Sequence, residues 1–338
     1  MKKILIIGMG GTIAGIAPDP NFDPLNYAAG QVGVADFLKN SLPAYLSELV
    51  HLKTFQLANI NSGDLTEDLL SKLGRTVCDA LQQRQYDGVV ITHGTDTIEE
   101  TGIFLHLVCS KLAKSLGKAV VLTGAMLPSN AMGADGPQNL ANALEVAALL
   151  GVSFEPNLKL SGGIYGTFAG KVIFAKDYLK RSSNQMNAPV MDSPDLCTNP
   201  KIVSSKSTEF ALDFPKSGES WPWVEILTSH AGVRPDVLKF LLKQGVEGVV
   251  LAGTGQGNVH EHLIPSILLA KEQKLPMVRA SRTLLGDIRR EIPISDQYLG
   301  TVAARNLSPA KARVALQLFL YTHRTQKDLD LGRLFDII

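Results

Sequence analysis

Short apolar runs alternate with amphipathic segments along the first half of the chain. Residues 3–8, 88–92 and 118–123 are mostly apolar and rich in β-branched side chains, which predicts buried strands. Residues 66–81 and 98–112 place apolar side chains at helical spacing instead, which predicts helices packed on a core. Strands and helices that alternate in this way are typical of an α/β fold with a doubly wound parallel-type sheet.

The alternating pattern stops near residue 199 and resumes after residue 222. Residues 199–222 are rich in Ser, Lys, Pro and Gly, a composition typical of a connection between domains. Beyond it, strands are predicted at 224–228, 249–252 and 277–280, and helices at 236–242 and 264–271. The sequence therefore predicts an N-terminal domain at 1–198, a linker at 199–222 and a smaller C-terminal α/β domain at 223–338.

Polar side chains follow the predicted strands directly. Thr12 comes after the first strand and two glycines, and Thr95 and Asp96 follow the strand at 88–92. A third polar corner, with Ser62, follows a strand predicted at 51–57. Open α/β sheets place their ligand sites at the carboxyl ends of the strands. If the first strand and the strand at 88–92 are neighbours in the sheet, Thr12 and Thr95 face one crevice.

Two further features concern the helix after Asp96. Thr97 and Glu100 have the spacing of a capping box, so the Thr97 side chain is predicted to cap this helix. His93 precedes the corner, but no Cys or Ser nucleophile lies near it in a triad-like context. A structural role is therefore expected for His93.

Composition excludes several classes of partner. The chain has 338 residues, 45% hydrophobic and 19% charged, as expected for a globular protein of two domains. Lys and Arg number 33 against 32 Asp and Glu, which gives no reason to expect nucleic acid or an anionic membrane as a partner. No apolar run reaches the ~20 residues of a membrane span. The first strand begins at residue 3, which leaves no room for a signal peptide and predicts a cytoplasmic location.

The three cysteines, Cys78, Cys109 and Cys197, lack the spacing of a metal site and are too few for a disulfide scaffold. Cys78 and Cys109 could pair if their helices touch, although a free buried cysteine is the commoner case.

The glycine loop after the first strand does not bind a nucleotide by any standard motif. Residues 8–13 (GMGGTI) start like a dinucleotide fingerprint, but Ile13 stands where the third Gly or Ala is needed. Pro18 and Pro20 also prevent a helix from following at once. No Gly-Lys-Ser/Thr closes the loop, so it is not a P-loop either.

Each candidate residue has an ordinary structural explanation when taken alone. Thr95, Asp96 and Ser62 are good helix caps, Lys180 suits a solvated loop, and Asn258 suits a glycine-rich turn. Taken together, hydroxyls, a carboxylate and a lysine at strand ends suit nucleophilic acyl transfer. A hydroxyl nucleophile needs a base, and a desolvated lysine held by an aspartate can be one.

The sequence resembles the bacterial-type L-asparaginases, a family that includes the glutaminase-asparaginases. The two stretches that carry the resemblance most specifically are residues 9–15 (MGGTIAG) and 91–101 (ITHGTDTIEET). Residues 124–126 (GAM), 134–140 (ADGPQNL) and 306–313 (NLSPAKAR) match as well. The similarity runs from residue 3 to about residue 320, which is nearly the whole chain.

The resemblance implies catalytic roles for five residues. Thr12 would attack the side-chain amide of the substrate, release ammonia and form an acyl-enzyme that water cleaves. Tyr27 would support Thr12 from a flap. Thr95, Asp96 and Lys180 would form a second group of hydroxyl, carboxylate and lysine.

It also implies how the substrate is held. Ser62 would bind the α-carboxylate and Asp96 the ammonium group. The backbone near Thr95 and Ala125 would hold the amide. Asn258 would reach in from a neighbouring subunit.

The chain departs from the family pattern at a few positions. Met9 replaces the usual threonine, a change before the nucleophile that should be tolerated. Gly63, at a substrate-binding position, replaces the glutamine of many relatives. Of the two nearby lysines, Lys176 and Lys180, the second is chosen because residues 186–188 then fall in register. Glu291 lies close to, but not at, the position of the family's second-domain glutamate.

The resemblance thus implies a cytoplasmic enzyme that hydrolyses L-asparagine to L-aspartate and ammonia without metal or cofactor. It implies a homodimer or homotetramer with shared active sites. Two alternatives share the fold: a broader glutaminase-asparaginase, and the asparaginase-like subunit of a tRNA-dependent amidotransferase, which usually has an extra N-terminal domain. A non-catalytic amino-acid-binding sensor is the alternative from another class.

Overall fold

The computed structural model describes residues 1–21, 23–39, 42–149, 153–155, 158–183, 211–328 and 330–338. The chain divides into two compact units, Met1–Ala211 and Leu212–Ile338. Cys197, residues 186–188 and residues 199–210 of the predicted linker lie outside the described residues. Residues 212–222 of that predicted linker belong to the second unit.

The first unit contains eight strands and five α-helices among its described residues. The strands are β1 (Lys2–Gly10), β2 (Val50–Ile60), β3 (Gly88–Thr92), β4 (Ala119–Thr123), β5 (Ser153–Glu155), β6 (Leu158–Lys159), β7 (Gly163–Phe168) and β8 (Lys171–Phe174). The helices are α1 (Val34–Lys39), α2 (Leu46–Leu49), α3 (Glu67–Gln82), α4 (Ile98–Leu116) and α5 (Gly136–Ala148).

Six of these strands form one sheet in the order β2-β1-β3-β4-β7-β8. Every pair is parallel except β7 with β8. All residues of β3 and β4 are buried, as expected for parallel strands covered on both faces. The predicted doubly wound sheet is therefore confirmed.

The strand order fixes where a ligand can bind in this unit. The chain goes from β1 outward to β2 and then crosses back to β3, so the direction of winding reverses at β1. In such a sheet the crevice opens between the carboxyl ends of the first and third strands. Gly8 of β1 pairs with Thr92 of β3, so these two ends lie side by side. The loops that follow them carry Thr12 and Thr95.

The helices after β2 and β3 begin in different ways. The Thr66 side chain accepts a hydrogen bond from Leu69 N and caps α3, which opens with two acidic residues that favour a helix N-terminus. At the start of α4 the predicted capping box is wrong, because Thr97 makes no side-chain cap bond. Its hydroxyl donates instead to Ser62 O at 2.9 Å. A contact with a neighbouring loop thus replaces the local cap.

The second unit is a smaller α/β domain with a four-stranded parallel sheet in the order β12-β11-β10-β9. These strands are β9 (Val224–Thr228), β10 (Gly248–Gly253), β11 (Met277–Ser281) and β12 (Thr301–Ala303). The helices are α6 (Asp236–Lys243), α7 (Ile264–Glu272), α8 (Asp296–Leu299), α9 (Pro309–His323) and α10 (Leu331–Ile337). The sequence pattern did not predict β12, α8, α9 or α10.

A buried ion pair organises the loops of the second unit. Arg279 is fully buried, and its guanidinium makes two hydrogen bonds of 2.8 and 2.7 Å to the carboxylate of Asp296. It also donates to Gln256 O at 2.6 Å and Arg289 O at 2.9 Å. Burial alone raises the pKa of Asp296, but the bonds from Arg279 and from Thr301 bring it below its usual value. The pair therefore ties two loops to β11.

Among the described residues, no helix is long and apolar enough to cross a membrane.

The buried His106 of α4 predicts a loss of stability in mild acid. Burial and the nearby charge of Lys176 lower its pKa from 6.5 to about 3. Below pH 6.5 this histidine binds a proton in the unfolded chain but not in the folded protein. The free energy of unfolding therefore falls by about 1.4 kcal/mol per pH unit for this group. The His106→Gln variant should therefore show a shallower fall in urea midpoint between pH 7 and pH 5.5.

The exposed His51 provides the control. His51→Gln should keep the wild-type dependence on pH. His93 is also buried with a lowered pKa, so the slope in His106→Gln should shrink without vanishing. An unchanged slope would contradict the assignment.

Candidate active site

Three loops meet at the carboxyl ends of β1, β2 and β3. A Cβ atom added to Gly94 would lie 2.5 Å from Ser62 Oγ and 3.0 Å from Gly11 Cα. One added to Gly11 would overlap the backbone of Gly94, and Gly11 has a φ of 79° that suits glycine. The loops therefore approach backbone to backbone, with no space for a side chain between them.

Thr12 lies beside this junction, at the start of a short 3-10 helix that follows β1. It is 7% exposed, and its Oγ1 is 2.6 Å from the Tyr27 hydroxyl. Tyr27 is positioned by an antiparallel bridge between Ile16 and Ala28. Its ring covers Gly15, where a Cβ atom would lie 2.8 Å from a ring carbon. The loop predicted as a flap thus brings a phenol to Thr12.

Thr95 forms a second group with Lys180 and Asp96. The Lys180 ammonium donates to Thr95 Oγ1 at 2.9 Å and to Asp96 Oδ1 at 2.6 Å. Thr95 is 3% exposed, whereas the side chains of Lys180 and Asp96 are 21% and 56% exposed. Since Thr95 accepts from the lysine, its own proton points elsewhere, and Met126 Sδ is within 3.8 Å. This group combines a hydroxyl, a cation and a solvent-facing carboxylate.

The two candidate lysines have different partners. Lys176 is buried, and its ammonium lies 2.8 Å from Asp177 Oδ1. Lys180 is the one that contacts Thr95 and Asp96. The geometry therefore favours Lys180, the choice made from the sequence.

Ser62 connects the loop after β2 to the beginning of α4. Its hydroxyl accepts a hydrogen bond from Asp96 N at 3.3 Å, and its carbonyl accepts from Thr97 Oγ1. Gly63 is exposed, and a Cβ atom there would approach only Asn61 Oδ1, at 3.9 Å. Open space therefore lies next to Ser62.

Ala125 lies in the loop after β4 and is fully buried. Its neighbour Met126 donates its backbone N–H to the carboxylate of Asp135 at 3.0 Å, and Asn139 Nδ2 donates to Gly124 O at 3.0 Å. Asp135 and Asn139 were not identified as site residues from the sequence. The sequence feature that could have identified them is the stretch at 134–140. There a carboxylate and an amide begin a helix, and they can bond to the backbone N–H and C=O groups of the loop after β4.

His93 is fixed at both ring nitrogens. Nδ1 is 2.8 Å from Gly94 O and Nε2 is 3.0 Å from Thr101 Oγ1. Burial lowers the pKa of His93, so the ring is neutral at pH 7. The expected structural role of this histidine is confirmed.

Asn258 and Glu291 belong to the second unit. The loop that holds Asn258 is closed by backbone hydrogen bonds between Thr254 and Asn258 in both directions, at 2.9 and 2.7 Å. The Glu291 carboxylate accepts from Ser295 Oγ at 2.6 Å and from Gln297 N at 3.1 Å. Within its own unit Glu291 therefore caps the helix that begins at Asp296.

The geometry of the first unit suits nucleophilic acyl transfer. Two buried threonine hydroxyls lie at neighbouring strand ends, and each is hydrogen-bonded to a side chain that can exchange a proton. Among the described residues, no group of three or more His, Cys, Asp and Glu side chains could hold a metal ion.

Comparison with known proteins agrees with this arrangement. The family model "Asparaginase, N-terminal" matches residues 3–202, and the "Glutaminase/Asparaginase C-terminal domain" model matches residues 223–331. The chain belongs to the asparaginase family.

Similar members of the asparaginase family carry more than one name. A glutaminase-asparaginase of Acinetobacter glutaminasificans is 32% identical over 97% of this chain and 98% of that protein. L-asparaginase 2 of Escherichia coli is 33% identical over 95% of this chain and 89% of that protein. A probable periplasmic L-asparaginase of Haemophilus influenzae is 34% identical over the same shares.

The fold is also that of a solved asparaginase structure. The crystal structure of a probable cytoplasmic L-asparaginase from Campylobacter jejuni superposes with a TM-score of 0.83 and 29% identity, and each chain is covered fully. The α/β class predicted from the sequence is therefore shared with an asparaginase of known structure.

The loop junction predicts a steep cost for one added methyl group. Gly94→Ala would push the new Cβ into Ser62 Oγ and the Gly11 backbone, so it should destabilise the protein by about 1–3 kcal/mol. Gly63→Ala is the matched control one loop away, where the added atom meets open space. It should change stability by less than about 0.5 kcal/mol. Urea unfolding of both variants measures the difference, and equal effects would refute the close packing.

Proposed function

We propose that this protein is an L-asparaginase that hydrolyses L-asparagine to L-aspartate and ammonia through an acyl-enzyme on Thr12. The observation that carries the proposal is the hydrogen-bonded group of Lys180, Thr95 and Asp96 after β3. The neighbouring strand β1 leads to Thr12, whose hydroxyl contacts Tyr27. Membership of the asparaginase family supports it.

In the first half of the reaction, Thr12 Oγ1 attacks the side-chain amide carbon of asparagine. Its proton passes to the Tyr27 oxygen, which lies 2.6 Å away, and then to the leaving nitrogen. The C–N bond breaks, ammonia departs, and an ester joins Thr12 to the aspartyl group. Burial of Thr12 keeps bulk water from competing at this stage.

In the second half, water attacks the ester carbonyl. This step requires Lys180 as the neutral amine: the attacking water gives a proton to Thr95 Oγ1, and Thr95 passes its own proton to Lys180 Nζ across the 2.9 Å contact. The ester C–O bond breaks, the proton taken from the water ends on the Thr12 oxygen, and L-aspartate is released. Asp96 holds Lys180 in place for this transfer.

Substrate charge provides the recognition. The exposed carboxylate of Asp96 binds the substrate ammonium, and Ser62 binds the α-carboxylate. The backbone near Thr95 and Ala125 holds the amide, in a loop that Asp135 and Asn139 fix from behind. An amino acid bound at both charged ends places its amide at one fixed distance.

Glutaminase-asparaginase activity is the second candidate, because a relative of similar identity bears that name. Ammonia release from L-asparagine and L-glutamine, measured side by side, separates the two. The extra methylene of glutamine displaces the amide from Thr12, so kcat/KM should be higher for L-asparagine. Equal values would assign the broader activity, and no ammonia from either substrate would indicate a binding protein.

Location and assembly are part of the same proposal. We place the enzyme in the cytoplasm, as the similar Campylobacter jejuni protein is described, although a relative of Haemophilus influenzae is described as periplasmic. We also propose a homodimer or homotetramer in which Asn258 of one subunit completes the site of another.

Thr12→Val tests the nucleophile. Valine keeps the shape of threonine and removes only the hydroxyl, so the variant should fold normally and lose roughly 10³-fold or more in kcat. Thr76→Val is the control, because the Thr76 hydroxyl donates to Lys72 O within α3 and not to a residue of the candidate site. It should keep wild-type turnover. A Thr12→Val enzyme with more than a tenth of the wild-type rate would remove Thr12 from the mechanism.

Lys180→Met tests the second group. Methionine keeps most of the aliphatic stem and removes the amine that contacts Thr95, so turnover should nearly vanish while substrate binding changes little. Lys176→Met is the matched control four residues earlier, and it should leave kcat within a few-fold of wild type. Steady-state kinetics and calorimetric binding give the two readouts. If Lys176→Met is the inactive variant, the choice of lysine is wrong.

Asn258 provides a test of shared sites. Thr12→Val and Asn258→Ala should each be inactive or weak alone. In an isologous dimer that mixes the two, one site carries both lesions and the other carries neither. Co-expressed and co-purified mixed dimers should therefore regain about half of the wild-type activity. If the mixed dimers gain nothing over the separate variants, Asn258 does not act across subunits.

A further inference from the structure

Two cysteines meet where α3 packs on α4. The Sγ atoms of Cys78 and Cys109 lie 3.1 Å apart, and both are free thiols. Cys78 lies eleven residues after Glu67, the first residue of α3, and Cys109 lies eleven residues after Ile98, the first of α4. The two thiols therefore occupy equivalent positions on two neighbouring helices.

The same two helices are already joined at their beginnings. Ser62, just before α3, accepts hydrogen bonds from Asp96 N and Thr97 Oγ1, just before α4. The thiol contact is a second connection, farther along both helices. A covalent bond at that point would join elements that tertiary contacts already hold together.

The two thiols differ in exposure and in acidity. Cys78 is partly exposed, whereas Cys109 is fully buried. The hydrogen bond with Cys109 lowers the pKa of the Cys78 thiol. The bond to Cys78 and burial together raise the pKa of Cys109. Cys78 is thus the thiol that solvent-borne reagents reach first and the one that ionises more readily.

We propose that Cys78 and Cys109 are an oxidative modification site that forms an intramolecular disulfide by exchange with a small-molecule disulfide. The Cys78 thiolate attacks one sulfur of the reagent and releases the first small thiolate, which leaves a mixed disulfide on Cys78. Cys109 then loses its proton to the released thiolate and attacks Cys78 Sγ, which expels the second small thiol. Two protein thiols are oxidised, and one reagent disulfide is reduced to two thiols.

The geometry permits this bond with little movement. A disulfide needs the sulfur atoms about 2 Å apart, so the present contact must shorten by roughly 1 Å. Rotation of the Cys78 side chain, the more exposed of the two, can supply a change of that size. The helices themselves can stay where they are.

The cross-link would enclose residues 78–109. This segment contains all of β3 and the corner with Thr95 and Asp96. Closing a loop of this length restricts the unfolded chain and so raises the stability of the first unit. Because the helices do not move, the positions of Thr95 and Asp96 and the rate of the proposed reaction should not change.

The experiment compares full-length protein reduced by dithiothreitol with protein oxidised by glutathione disulfide. Oxidation should lower the number of thiols titrated in denaturant from three to one and make the intact chain lighter by two hydrogens. The thermal midpoint should rise by about 5 °C or more, and peptide mapping should find Cys78 joined to Cys109.

Each variant is measured in its oxidised and reduced forms, and the readout is the difference between the two thermal midpoints. The result therefore does not depend on how stable the variant itself is. Cys197→Ser should retain the full rise in thermal midpoint. Cys78→Ala and Cys109→Ala should each abolish it, even if one of them is less stable than wild type. Ammonia release from L-asparagine by the oxidised and reduced wild type should agree within about twofold, since no catalytic group moves.

Three results would overturn the proposal. One is a glutathione adduct that persists on Cys78, since it would mean that Cys109 cannot complete the exchange. Another is a disulfide that includes Cys197. The third is an unchanged thermal midpoint in protein whose Cys78–Cys109 bond is verified by mass. Loss of the proposed activity in every form would leave this result intact, because thiol count, mass and midpoint do not depend on turnover.

Discussion

The close backbone approach of Gly11 and Gly94 is the constraint on which the site depends. The two residues follow adjacent parallel strands, and a Cβ atom on Gly94 would lie 3.0 Å from Gly11 Cα. Only glycine permits such an approach between two loops. The next residue of each loop is a threonine, Thr12 or Thr95, so the same contact that closes the sheet edge also brings two hydroxyl-bearing loops to one crevice.

Polar side chains then hold the loops of the first unit at that crevice without filling it. Ser62 ties the loop after β2 to α4, and Asp135 ties the loop after β4 to the start of α5. Tyr27 lies 15 residues after Thr12 and Lys180 lies 85 residues after Thr95, and each ends within 3 Å of the threonine hydroxyl. These four side chains come from four different loops. The site therefore depends on how all the loops along this edge of the sheet pack together.

Periodicity and short motifs were sufficient to predict β1 to β4, α3 and α4 of the first unit and five of the nine described strands and helices of the second. Apolar runs and helical spacing depend on which face each residue buries, and that information is local. The helix α9 was not predicted, although its start has a clear sequence signal. Ser308 caps the helix and Pro309 is its first residue, but this stretch was interpreted only as a family motif. The threonines, the aspartate and the lysine of the candidate site could likewise be identified from the sequence, because their residue types and their positions near strand ends are local features.

The sequence by itself determined the α/β class, the polar corners and the family. Tertiary structure decided which corners meet, because strand order is set by long-range pairing that no local pattern encodes. It also directed the Thr97 hydroxyl to Ser62 instead of a local cap, and it gave Lys180 rather than Lys176 to Thr95. Local patterns specify what a segment can form, whereas the partners of a polar side chain depend on which distant segments pack beside it.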